Sequence, residues 1–262
     1  MISWKEHRRA VKLKAKQALF GAMGKGIVIT LLSFLLGSMA LAFFPVSVPD
    51  TLPQNASNYE ILRAFLPREL NAQFWELVGV SMLLYLLLTA PFTVGMQRFF
   101  LRVWRGEKPK LRTVFRPFIS LRMVLGSCWL SILVTVCKIG ITVALLAGPM
   151  ALLAFWDTLG PLALVFGAPL YFLAALCAAV LVLPLSFAYF LYAEDPTRGA
   201  LHCVCKAYTR SRGARIELAV FQLSFIPWRI LAILVYPFGE IVLNPYLQVA
   251  TAGFFDTVDT CK

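Results

Sequence analysis

From Met123 to Gly148 the chain reads MVLGSCWLSILVTVCKIGITVALLAG, with Lys138 as its one charged residue. A helix needs roughly 20 apolar residues to cross a hydrocarbon core of about 30 Å, and this stretch is long enough. It is not alone. Apolar runs also cover Gly24–Val46, Glu76–Gln97, Pro161–Tyr192 and Leu218–Tyr236, and a shorter, semi-polar one covers Ile241–Val258. Several such runs cannot all hide in one soluble core. Only 15% of the residues are charged, against about 25% in ordinary soluble domains. The expected fold is therefore all-α: a single polytopic transmembrane bundle over residues 1–262, with about six membrane segments. In the fourth segment Pro169 or Pro184 is the expected break, and the sixth is expected either to span or to re-enter.

Charge sets the orientation. Lys5, Arg8, Arg9, Lys12, Lys14 and Lys16 precede the first span, within a basic N-terminal helix over residues 1–23. Arg98, Arg102, Arg105, Lys108, Lys110, Arg112, Arg116 and Arg122 fill the connection 98–122, and Arg198, Lys206, Arg210, Arg212 and Arg215 lie in 193–217. The connection 47–75 and residues 149–160 are poor in Lys and Arg. Every second connection is basic, so the positive-inside rule places the N-terminus and the basic connections in the cytoplasm and 47–75 outside. The net charge of +12 is confined to these connections. It reads as a membrane signal, and no nucleic-acid partner is expected. Arg98, Arg102, Arg105, Lys108, Lys110 and Arg112 are the expected contacts to anionic lipid headgroups of the inner leaflet. The same connection could dock a membrane or cytosolic protein. Trp4, Val11, Ala15, Ala18 and Ala22 recur at helical spacing in the N-terminal stretch, giving a cationic helix one weakly apolar face.

Several phrases occur together in this order: KLKAKQALFG, GMQRFFLRVWRGEKPKLRTVF, LYAEDP, RGARIELAVFQLSFIPW and NPYLQVATAGFF. The set resembles the family catalogued as domain of unknown function 975, over nearly the whole chain. Its most specific parts are Arg105-Gly106-Glu107, Leu223-Ser224-Phe225-Ile226 with Trp228, and Asn244-Pro245-Tyr246 with Phe254 and Phe255. The family usually has Gly where this chain has Pro227, and Tyr where it has Phe255. The resemblance implies a multi-span helical bundle of a bacterial cell membrane and no established activity.

No catalytic signature is present, and no span interior holds a carboxylate or histidine, which intramembrane proton relays and aspartyl proteolysis need. His202, Cys203 and Cys205 are too close in sequence to converge on a metal. No metal, cofactor or disulfide is expected. Polar seams say more. Ser127, Ser131, Thr135, Lys138 and Thr142 share one face of the third segment, and Gln222, Arg229, Tyr236 and Glu240 share a face of the fifth. An ammonium left in lipid costs roughly 2.5–3.5 kcal/mol, so Lys138 is expected to face inward. The expected site is a polar pocket of Lys138, Arg229 and Glu240, with Gln222, Tyr236, Ser131 and Thr135. The leading function is non-enzymatic, a binding or accessory protein that holds a lipid, peptide or partner. The alternative is a transporter of a small anionic solute using Lys138 and Arg229. A membrane-edge lipid enzyme ranks third.

Overall fold

The helices that these apolar runs form are too long for the membrane alone. The structure, a computed structural model, describes residues 4–42, 72–154, 160–236 and 238–258. Its helices are α1 Trp4–Phe20, α2 Met23–Ala42, α3 Ala72–Trp104, α4 Leu121–Ala154, α5 Pro161–Val182, α6 Ser186–Glu194, α7 Ala200–Arg210, α8 Arg215–Leu223, α9 Ile226–Leu234 and α10 Phe238–Thr257. The described residues contain no strand. α3 has 33 residues and α4 has 34. Each is roughly 50 Å long at about 1.5 Å per residue, well beyond the roughly 30 Å of hydrocarbon, so each must project from it.

The protein core is built at the basic end. Phe99, Phe100, Phe187, Phe190, Phe221, Phe225, Phe254 and Phe255 are fully buried. All come from the ends of α3, α6, α8 and α10, or from the turn after α8, close to the basic connections. Phe255 stacks on Phe190 at 5.2 Å, and Phe254 lies 5.0 Å from Phe221. Such ring pairs add about 0.5–1.5 kcal/mol each beyond their burial. The opposite end is different. Only 11% of the most apolar window of Leu121–Leu152 is buried by protein, and Phe166, Phe172, Val143 and Leu234 stand exposed. An apolar helix this bare is stable only where lipid covers it.

Four helices are long and apolar enough to cross a membrane: Glu76–Trp104, Leu121–Leu152, Val165–Glu194 and Arg215–Leu234. The pair Trp4–Phe20 and Met23–Met39, bent by 93°, would be a fifth. The expected count of about six is thus approximate. The sixth segment is the helix α10, and it is not among those that qualify. The third begins two residues early, at Leu121, and the second begins at Ala72, inside the expected outer loop. The rest of that loop lies outside the described residues. Of the two candidate breaks in the fourth segment, Pro184 is the one used. It sits in a 3-10 turn, Leu183–Leu185, whereas Pro169 lies within unbroken helix. The fifth segment divides at Ser224–Phe225, with Pro227 in the first turn of α9, where its missing amide costs nothing.

α1 turns its weakly apolar face to protein. His7, Val11, Ala15 and Leu19 recur every four residues and are buried, and the helix packs along α10 and on α3. Its cations serve as ties. Arg8 pairs with Glu217, and Lys12 donates to Ser224 at 2.6 Å while lying 4.7 Å over the Phe225 ring. Lys14 sits 4.4 Å over Trp104, and His7 meets Thr257 Oγ1 at 2.9 Å.

Candidate functional site

The residues expected in a single pocket are distributed over the bundle. α4, which carries Lys138, packs on α5, α3 and α7, while α9, which carries Arg229, packs on α10. Lys138 is half-buried and Thr135 exposed. Ser131 accepts a long hydrogen bond from Tyr189, 3.5 Å. Tyr236 and Glu240 line a cavity of 280 Å³ with Thr30, Ser33 and Asn244. Arg229 and Gln222 come together in another, and Lys138 lines neither.

The groove of Arg229 and Gln222 has 460 Å³ and lies between the end of α5 and the α8–α9 break. Its apolar wall is Leu176, Val180, Leu183, Leu223, Ile226 and Leu247. Its polar wall is a run of amides that the sequence reading did not assemble. Gln97 donates to Gln248 at 3.1 Å, Gln248 donates to Asn244 at 3.3 Å, and Gln222 donates to Thr251 at 3.2 Å. The far end of the chain is unsatisfied: Gln97 is 8% exposed, and its buried Oε1 has no hydrogen-bond partner. Arg229 is exposed at the groove and has no carboxylate within reach among the described residues. Asn244, Gln248 and Thr251 stand four and three residues apart on α10, so a polar stripe in NPYLQVATAGFF was the signal for this wall.

At the basic end the expected headgroup contacts divide. Arg105 is engaged within the protein. It pairs with Glu194 and, at 2.6 Å, with Asp256, joining the ends of α3, α6 and α10. Accepting carboxylates, Asp256 first, raise its pKa above the ordinary guanidinium value. Arg98 is half-buried on α3. Arg102, Lys108, Lys110 and Arg112 line one bowl, joined by Arg116, which sequence reasoning had not placed there. A turn at Arg105-Gly106 follows α3, with Gly106 at φ 82°. Glu107 pairs locally with Arg102 at 3.6 Å.

Among the described residues no three His, Cys, Asp or Glu side chains gather in a metal-binding arrangement. Cys203 is buried while His202 and Cys205 are exposed.

Comparison with known proteins adds a family and no activity. A family model described as "Protein of unknown function (DUF975)" matches residues 1–262. No curated protein and no solved structure matches the chain.

Proposed function

We propose that this chain, which belongs to the DUF975 family, is a non-enzymatic membrane protein that holds an anionic amphiphile in the groove beside α9. One observation carries the reading: the unpaired Arg229 guanidinium stands at a groove with an apolar wall and an amide wall. A charge in an apolar helix is costly without a partner, and no protein group among the described residues supplies one. An anionic headgroup would complete it. The Gln97 and Gln222 amides would accept and donate to the headgroup's polar atoms, and Leu176, Val180 and Leu183 would take an acyl chain.

The test uses the full chain in mild detergent, stripped of lipid, with fluorescent phosphatidylglycerol as probe. Arg229→Gln is expected to weaken binding roughly tenfold to a hundredfold, as loss of a hydrogen bond to a charged group does. Arg229→Lys should retain part of it, and phosphatidylcholine should bind weakly to both. Unchanged phosphatidylglycerol affinity in Arg229→Gln would sink the reading. The helix break beside Arg229 favours transport of a small anion as the second reading. Arg229-dependent uptake of a soluble anion into proteoliposomes, without retention of the lipid, would replace the first with it.

The same reading places the chain in a bacterial cytoplasmic membrane, with the N-terminus and residues 98–122 inside. It rests on the alternation of basic and neutral connections. In a cysteine-free background, Asn55→Cys should react with an impermeant maleimide in intact cells, and Lys108→Cys only after permeabilisation. The reverse pattern would invert the topology.

A further inference from the structure

We infer that the bowl after α3 is a binding site for a phosphate-bearing ligand with at least two negative charges. The bowl has 530 Å³ and is lined by Arg102, Lys108, Lys110, Arg112 and Arg116, with Glu107 as the sole carboxylate. Glu107 is taken by Arg102. The other four cations have no carboxylate within 4 Å among the described residues. Cations gathered this closely repel one another, so the protein must hold them there or a ligand must neutralise them.

The protein does hold them. The loop is tied to the bundle at several points. Lys25 donates to the Pro109 carbonyl at 3.3 Å, and the Glu107 amide donates to Arg102 at 3.0 Å. The 3-10 turn Leu111–Thr113 is closed by Thr113 N–H to Lys110 O, 3.0 Å, and followed by Val114 N–H to Leu111 O, 3.1 Å. Pro109, Val114 and Pro117 are buried, and Phe115 meets Phe92 edge to face at 6.2 Å. The cations are thus presented on a fixed backbone, and little ordering remains for a ligand to induce.

The chemistry of the lining selects phosphate. Two guanidinium forks on successive 3-10 turns, Arg112 and Arg116, match the paired oxygens of a phosphate, and Lys108 and Lys110 add point charges. Four unpaired cations call for more than one negative charge. A phosphomonoester or a diphosphate meets that requirement, and a single carboxylate does not. The source is a lipid headgroup or a soluble phosphate. Ile119 lines the bowl at 73% exposure, and Leu121 beside it is 74% exposed. These side chains give an acyl chain an apolar path next to the cations.

The inference is independent of the Arg229 groove, and its test keeps the two apart. The full chain in lipid-stripped detergent is titrated with inorganic pyrophosphate by calorimetry. In parallel, retained phosphatidate is compared with phosphatidylcholine by native mass spectrometry. The double variant Arg112→Gln/Arg116→Gln is expected to weaken whichever probe binds by about tenfold or more. Lys5→Gln/Arg212→Gln, which removes the same charge from exposed positions elsewhere, should leave binding unchanged, and the phosphatidate comparison is made in an Arg229→Gln background so that the groove's own cation contributes nothing. Pyrophosphate binding without phosphatidate preference assigns a soluble ligand; the converse assigns a headgroup. Three results overturn the inference: neither probe binds, the bowl variant binds as well as the unaltered chain, or the control pair loses as much.

Discussion

Phe254→Ala is expected to destabilise the protein by about 3–5 kcal/mol, the usual cost of emptying a fully buried aromatic site. Phe254 is fully buried and lies 5.0 Å from Phe221, 6.4 Å from Trp4, 5.7 Å from His7 and 6.5 Å from Phe187. It therefore touches α1, α6 and α8 from α10. Truncation leaves a cavity shared by four helices, which no single side chain can move to fill. The melting temperature in mild detergent should fall, and α1, held by His7, Trp4 and Arg8 over this site, should become cleavable by trypsin. Phe172→Ala, at an exposed position on α5, is the comparison and should change neither. Equal melting of the two variants would show that the rings do not hold the basic end together.

Gly95→Val is expected to cost about 1–3 kcal/mol and to dislodge the loop carrying the bowl. A Cβ at residue 95 would land on the carbonyl oxygen of Val114, with the Val114 Cα only 3.1 Å away. The obstacle is backbone on both sides, so no rotamer change relieves it. Either α3 or the loop must move, and the loop is the part with fewer buried contacts. Trypsin cleavage after Lys110 and Arg112 should accelerate along with the loss of melting temperature. Gly140→Ala, where a new Cβ meets nothing within 4 Å, should be silent. If Gly95→Val cleaves and melts like Gly140→Ala, the loop does not dock against α3 in solution.

Much of this architecture could be read from residue order, because hydrocarbon thickness imposes a length on apolar runs. The long apolar runs became helices, and Pro184 ended one of them. Side-chain partners were harder to read. The periodic face of α1 was legible, but periodicity describes a face and not what covers it; here the helix, with Val11 and Ala15 buried, packs along α10 and on α3. Arg105 looked like every other cation in its connection. Its partners Glu194 and Asp256 are 89 and 151 residues away, and no local pattern links them. The polar seam of Lys138 and the seam of Arg229 each follow helical spacing, yet spacing within one helix does not fix which helix stands opposite. The amide wall of Gln97, Gln248 and Gln222 was missed for the same reason, since it exists only once α3, α8 and α10 are side by side.

The contacts that close the basic end have a consequence for the order of synthesis. His7 and Thr257 are 250 positions apart, and Trp4 stacks on Phe254. A chain emerging from its N-terminus at about 5–20 residues per second makes α1 first and α10 last. Throughout that interval the apolar face of α1 lacks the partner it packs along. The hairpin of α4 and α5, adjacent in sequence, can insert and pair long before. The aromatic core is thus a late event, a clasp fastened between the two extremes of the described chain after the membrane segments are already in place.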